Sequence, residues 1–312
     1  MKYAEWQVEA VVNLKKQGTT HRQIAKTVFG KESYASTVWY ILNEHLYKAT
    51  PVEKQGPKVL IFDLETSPEL GYVWGRFKQF LAPVQVAQRS YLLTWSAKWL
   101  GDEEIMADAI PNYRKTETTY GEQDDLEVVT SIWKLLDECD VAIAHNGNRF
   151  DFPYLNSRFV FHGLGMPSPF KQVDTCRIAK KHFRFASNSL KELGIFFGIE
   201  TPKLDTTFQL WIDCMHGKQE AWDYMLEYNV FDVKLLEEVY YRLRHYDKSA
   251  PNFALYYDDE AVRDPVTGST DVEELAKLSY TASSAFTSYR SKAGHVFRSS
   301  KAVKRIKNVN SQ

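Results

Sequence analysis

The sequence predicts an α/β domain on a mixed sheet flanked by helices, with a small all-α unit before it and a small C-terminal extension. Three observations carry this. The run KVLIFDLET reads as a buried strand ending in acids, the edge where open sheets place their chemistry. Several strand-like runs then give way to a strand, VAIAHN, between helical segments, the order of an α/β domain. Residues 1–48 are helical by period and end at ATPVEKQGP (49–57), which has two prolines, a glycine and no apolar period, and so reads as a linker. A chain of 312 residues has room for about two domains with appendages.

Hydrophobic residues at 44% and charged residues at 25% exclude disordered, collagenous and disulfide-scaffold proteins. Lys and Arg number 39 against 40 Asp and Glu, so affinity for nucleic acid has to come from local patches. Cys139, Cys176 and Cys214 are too few and too scattered for a disulfide framework. The start, MKYAEWQVEAVV, is amphipathic and contains acids, unlike a signal peptide. No apolar run reaches about 18 residues, so no membrane span is expected. The cytoplasm is the default compartment.

In residues 1–48, Ala4, Val8, Val11, Val12 and Leu14 recur at helical spacing. Gly18 breaks that helix, and Thr19 or Thr20 caps the next, HRQIAKTVF, which buries Ile24, Ala25 and Val28. Gly30 turns the chain, and Ser33 begins a third helix through YASTVWYILNEHL, with Val38, Ile41 and Leu42 inward. Helix, glycine turn, helix is the pattern of a helix-turn-helix, whose second helix enters a DNA major groove. The same pattern serves a three-helix packing or protein-binding unit, and geometry alone does not choose between them.

Residues 58–247 form the main domain. Strand-like runs lie near 72–77, 90–97 and 104–110, followed by the helix DDLEVVTSIWKLLDEC and the strand VAIAHN. From residue 150 the chain is mostly helical, ending in AWDYMLEYNVFDVKLLEEVYYRLRHY. Residues 248–312 have weak periodicity and a basic end: Arg290, Lys292, Arg298, Lys301, Lys304, Arg305 and Lys307, with no acid after Glu274. Such a tail is a solvated end or a nucleic-acid contact.

Asp63 and Glu65 stand two apart on a strand and therefore face one way. Two anions so close repel unless a cation joins them. Asp151 begins a helix after the tight turn at Asn146 and Gly147, where an acid alone reads as a cap. Tyr228 and Asp232 lie four apart on one face of the last long helix. Each signal is weak by itself. Trp74, Phe77, Trp95 and Trp99 have faces that stack on unpaired bases, but aromatics on alternating strands usually pack against helices, so most are expected in the core.

The order and spacing are more specific. FDLET, HNGNRFD and YNVFD, that is D-x-E, N-x3-F-D and Y-x3-D in that sequence, resemble the three motifs of the DEDDy 3′–5′ exonucleases. These belong to the DnaQ-like, ribonuclease H-like superfamily, together with the proofreading domains of family B DNA polymerases. AHNGNRFDFPYLNSRF and YNVFDVKLLEEVYYRLR look closest to the stand-alone YprB-like group. The resemblance covers about residues 58–246 and implies a ribonuclease H-like mixed sheet.

It also implies that Asp63, Glu65, Asp151 and Asp232 hold two Mg²⁺ or Mn²⁺ ions and that Tyr228 is the motif tyrosine. Hard divalent cations take oxygen ligands, and two ions about 3.5–4 Å apart stabilise both oxygens of an in-line displacement at phosphorus. A phenol of reference pKa about 10 is a poor base at neutral pH, so Tyr228 is expected to orient the water. Thr66 matches a position that contacts the terminal nucleotide, or else caps the turn; Asn146 shapes its loop or touches substrate. The implied partners are a single-stranded 3′ end in the site, duplex DNA at the helix-turn-helix, and a replication or repair partner.

The resemblance implies that the exonuclease domain is often followed by a zinc-ribbon-like segment with C-P-x-C-G and Y-x-C-x-x-C-G elements. Here RDPVTGS puts Asp264 and Thr267 in cysteine slots, and YRSKAGHVFRS puts Ser291 in another. Structural zinc needs four N or S ligands, so no zinc is expected. Two other readings stand beside the exonuclease. One is a ribonuclease H-like transposase or integrase, which would lack Glu65 and the Tyr228–Asp232 pair; the other is a DNA-binding regulator with an inert nuclease fold.

Overall fold

The computed structural model describes residues 3–34, 37–38, 41–42, 56–113, 125–200 and 206–306. The chain divides into two compact units, residues 1–54 and 55–312.

In the first unit, α1 (Glu5–Lys16) and α2 (His21–Phe29) are joined through Gly18. Thr20 stands at the N-cap of α2, where its N–H donates to Gln23 Oε1 at 3.2 Å. Gly30 ends the helix at φ +77°, a left-handed conformation that glycine enters without strain. Val11, Ile24, Ala25, Val38, Ile41 and Leu42 are buried together as the core. The third helix expected from Ser33 lies mostly outside the described residues; its described start is a 3₁₀ turn at Glu32–Tyr34. The linker also lies outside them as far as residue 55.

The second unit is built on a five-stranded sheet. Its strands are β1 (Val59–Thr66), β4 (Leu92–Trp99), β5 (Met106–Ala109), β6 (Val141–Ala144) and β7 (Lys171–Asp174), in the order β5-β4-β1-β6-β7. The short pair β2 (Leu70–Gly71) and β3 (Val86–Gln88) stands outside it. β1 is central, antiparallel to β4 and parallel to β6, so the sheet is mixed.

Alternation on β1 feeds two cores. Leu60, Phe62 and Leu64 pack with Val128, Val129, Ile132 and Leu136 of α3 (Leu126–Glu138) and with Phe152 and Leu155 of α4 (Asp151–Phe161). Val59 and Ile61 face the other way. They meet α5 (Thr175–His182), α6 (Leu190–Phe196) and α8 (Gln219–Leu243) through Ile178, Leu193, Val233, Leu236 and Val239. Each such side chain contributes about 1.5–3 kcal/mol when fully buried. A buried ion pair between Lys98 and Glu237 ties β4 to α8. The remaining helix, α7 (Phe208–Met215), leads into α8.

Three local expectations change. The strand expected near 72–77 is an exposed loop beyond β2, where Gly71 and Gly75 interrupt the run. β7 replaces the expected start of a helix; it has only four residues and leads directly into α5, capped by the Asp174 side chain accepting the Arg177 N–H at 3.1 Å. The weakly periodic extension folds as an antiparallel meander of β8 (Val272–Tyr280), β9 (Ser284–Ser291) and β10 (Val296–Arg305). Two of these strands are largely exposed on both faces, which removes the alternation by which a strand is read. At its base the buried Asp264 accepts from His295 Nδ1 at 2.7 Å and from the Val266 N–H at 2.9 Å. Burial alone would raise the Asp264 pKa, but these bonds, led by His295, outweigh it and hold the carboxyl well below the usual range. Among the described residues no helix is long and apolar enough to cross a membrane.

Candidate active site

Val59, Ile61, Asp63 and Glu65 lie on one face of β1 by the two-residue period of a strand. The first two are covered by α8; the two acids continue past that apolar cover. Pairing with β6 stops at Ile61 opposite Ile143. The register against β4 then slips between Glu65, opposite Thr94, and Thr66, opposite Leu92. Such a bulge re-aims the side chains at a strand end, and Thr66 stands on it, half-buried.

Beyond β6 the chain turns at Asn146, whose φ is +63°, a left-handed conformation that asparagine tolerates. Its carbonyl accepts the N–H groups of Arg149 and Phe150, both at 3.1 Å. A Cβ on Gly147 would come within 2.5 Å of the Ala144 Cβ, so the turn has room only for glycine. The turn delivers Asp151 to the first residue of α4, buried, with its carboxylate accepting the Leu64 N–H of β1. Asn146 lines a shallow cavity of about 580 Å³ with Asn148, Arg149, Arg177, Lys180 and Lys181.

α8 presents a buried stripe of Met225, Asn229, Val233, Leu236, Tyr240 and Leu243, spaced three and four apart. Tyr228 and Asp232 flank it, and the Tyr228 hydroxyl donates to the Asp232 carboxylate. Carboxylate oxygens of Asp63, Glu65 and Asp232 lie within 4.8 Å of one another. Asp151 stands outside that closest group, yet its charge acts on Asp63 more strongly than that of Glu65 or Asp232.

Two neighbours were not among the residues named from the sequence. Asn229 Nδ2 donates to Asp63 Oδ2 at 2.8 Å, and Trp211 Nε1 of α7 donates to Glu65 Oε2 at 3.1 Å. Asn229 had a signal: a polar residue on the apolar stripe, between Tyr228 and Asp232. Trp211 had none, because FQLWIDCM reads as an ordinary apolar helix. Of the aromatics with a stacking face, Trp95 is core, donating to Ser131 Oγ at 2.9 Å, whereas Trp74 and Phe77 are exposed.

The site repels its own charge. Burial, then Asp151, Glu65 and Asp232, raises the Asp63 carboxyl well above its ordinary value. Burial, with help from Asp232, lifts Glu65 to about 8; burial lifts Asp151 to about 7 and Asp232 to about 6. Burial and the same acids push the Tyr228 phenol up as well, so it stays protonated. The groups acting on these acids are burial, other carboxylates and neutral donors. An all-oxygen set at this spacing fits a hard divalent cation and has no thiolate or imidazole to favour a soft one. A cavity of about 420 Å³ at the opposite end of β1, lined by Lys58, Trp99, Phe253 and Tyr257, holds no such cluster.

The mixed sheet, its two helical layers and the placement of acids at a strand end define a ribonuclease H-like fold. Residues 106–244 match the RNase_H_2 model of the RNase_H superfamily, a segment that contains Asp151, Tyr228 and Asp232 but not β1. Over 128 residues the chain is 26% identical to the catalytic polypeptide of DNA polymerase epsilon from Dictyostelium discoideum, covering 38% of this chain. It spans only 5% of that polymerase's length. A solved family B DNA polymerase from the hyperthermophilic archaeon Pyrobaculum calidifontis aligns at TM-score 0.42 and 18% identity, over 61% of this chain and 25% of that one. That last likeness is too loose to bear on the fold.

Proposed function

We propose that the chain is a metal-dependent 3′–5′ exonuclease of the DEDDy kind, akin to the stand-alone YprB-like group. The observation that carries this reading is the meeting of Asp63, Glu65 and Asp232 within 4.8 Å, with Asp151 acting on Asp63 and Tyr228 bonded to Asp232. Asp63, Glu65, Asp151 and Asp232 would hold two Mg²⁺ or Mn²⁺ ions, which would balance the acids and stabilise the attacking and leaving oxygens of an in-line displacement at phosphorus.

This chain's residues supply the positioning. Asn229 and Trp211 each occupy one lone-pair direction of Asp63 and Glu65, leaving the remaining oxygens for ligation. Tyr228 cannot act as a base while its phenol is held protonated. It donates a hydrogen bond to Asp232 and offers the phenolic oxygen as acceptor to the attacking water. The water oxygen bonds to phosphorus and the bond to the 3′ oxygen breaks; the proton the water gives up ends on that 3′ oxygen, so a nucleoside 5′-monophosphate leaves a new 3′-hydroxyl. Thr66 on the bulge contacts the terminal nucleotide, Asn146 steadies the Asp151 turn at the edge of the substrate path, and the helical unit of residues 1–48 serves duplex DNA as a helix-turn-helix. Glu65 and the Tyr228–Asp232 pair favour hydrolysis at an end over strand transfer, and the retained acids disfavour an inert fold. The DNA polymerase relative is consistent with a replication or repair partner.

The test is a time course of the purified protein with Mg²⁺, Mn²⁺ or EDTA on 3′-labelled and 5′-labelled single-stranded DNA and RNA. A 3′ label should leave at once as mononucleotide, a 5′ label should shorten stepwise, and EDTA should stop both. Internal fragments, or cleavage in EDTA, would overturn the reading.

A further inference from the structure

Residues 68–90 leave the sheet directly after the acids of β1 and return to it directly opposite. Ser67 and Tyr91 close the base: the Ser67 N–H donates to the Tyr91 carbonyl at 2.9 Å and the Tyr91 N–H to Ser67 Oγ at 3.0 Å. Just beyond, the Leu92 N–H donates at 2.7 Å to Asp125, itself buried in an ion pair with Arg158. Above the base, β2 and β3 form a narrow stem, and the Tyr72 N–H reaches the Gln85 carbonyl at 2.9 Å. A firm base thus carries an arm.

The arm's tip is aromatic and open to solvent. Trp74 is 101% exposed, Phe80 92%, Phe77 86% and Tyr72 77%. Scattered surface rings are ordinary, but a cluster on one short segment marks an interaction site. Between Leu70 and Ser90 the charged residues are Arg76, Lys78 and Arg89, and the one acid of the excursion, Glu69, stands at its base before β2. Rings interleaved with cations match a strand that alternates flat bases with phosphates, and they match an apolar protein surface poorly. The arm also stands beside two of the three acid-bearing elements, β1 and α4. It springs from β1, and on its return Ser90 Oγ lies 2.9 Å from the Tyr154 hydroxyl. Tyr154 in turn stacks on Phe150, the residue before Asp151, with centroids 5.7 Å apart.

We propose that residues 70–90 form a stacking arm for unpaired bases of the strand whose 3′ end enters the acid cluster. Trp74, Phe77 and Phe80 take base faces, and Arg76 and Lys78 hold the phosphates between them. The assignment of that strand rests on the nuclease reading above; the stacking itself does not.

The test uses the full chain in EDTA, so that binding is read without cleavage. Anisotropy compares a 5′-labelled oligothymidylate with an abasic oligomer of the same length, which keeps the phosphates and lacks the bases. The wild-type chain should prefer the base-bearing strand by tenfold or more, since stacking is worth about fivefold or more for each ring. The triple variant W74A/F77A/F80A should bind both oligomers alike, and W74F should keep most of the preference that W74A loses. These rings are exposed, so melting temperatures should not move; if the triple variant misfolds, the W74A and W74F pair decides. Equal binding of the two oligomers by wild type, or a preference that survives the triple variant, overturns the proposal. So does a change of oligomeric state with the preference intact, which would make the arm a protein contact. Base preference without metal-dependent cleavage would sink the nuclease reading and leave the arm, and cleavage without base preference would do the reverse.

Discussion

Asn229 spends a fully buried amide on a helix stripe that is otherwise apolar, and its return is a fixed Asp63 carboxylate. Groups that orient metal ligands typically matter 10–100-fold in affinity or activity. N229A is therefore expected to weaken Mn²⁺ binding, followed by calorimetry, by about that factor, with a matching loss of cleavage. Removing a ligand should cost more. D63N and D232N should lose several powers of ten in rate with the fold retained, and near-normal hydrolysis by D63N would refute the metal assignment. Y228F should fall between these and wild type, since it loses water positioning and the hydrogen bond to Asp232 but no proposed ligand. Y228F should lower the rate at every pH tested, since the hydroxyl is absent throughout.

Elements differ in how much of themselves they declare. β1 is legible because an unbroken apolar run ending in D-x-E is buried on both faces, and α8 because its stripe repeats at helical spacing. The acids at the end of β1 and on the face of α8 are legible for the same reason, since a strand end and a helix face fix where side chains point. β7 and the terminal meander are not legible: one is too short to show a period and the other too exposed to show alternation. Nor is Trp211, whose indole N–H serves Glu65 from across 146 positions of sequence. The turn after β6 is a case where a local rule has a steric cause. G147A would drive its Cβ into Ala144, so it should destabilise by about 1–3 kcal/mol in denaturant unfolding and displace Asp151. An unchanged midpoint and unchanged activity would mean that the turn yields at no cost.

For the molecule as a whole, the acid cluster is expected to make stability depend on pH and, if it binds metal as proposed, on cation. Carboxyls raised on folding bind protons more tightly in the native state than in the unfolded one, whose values lie near 4. Stability therefore falls as pH rises from about 4 toward each native value, about 6 for Asp232, 7 for Asp151 and 8 for Glu65. In EDTA the melting temperature should drop between pH 5 and pH 8.5, as read by calorimetry. Mg²⁺ at pH 8 should restore much of the loss, because it binds the native state alone, and D63N should flatten the slope. A melting temperature that is level with pH and indifferent to Mg²⁺ would contradict the cluster.

The carboxylate–imidazole contact between Asp264 and His295 closes the terminal meander at a place where the family resemblance puts thiolates. Asp264 titrates in the opposite sense to the acid cluster, so its contribution fades only in strong acid. Chelators or oxidants that would unravel a thiolate-held knuckle have nothing to extract or oxidise in this pair. On the proposed reading, a chelator would therefore silence the acid cluster while the tail keeps its shape, and returning the ions would reverse it.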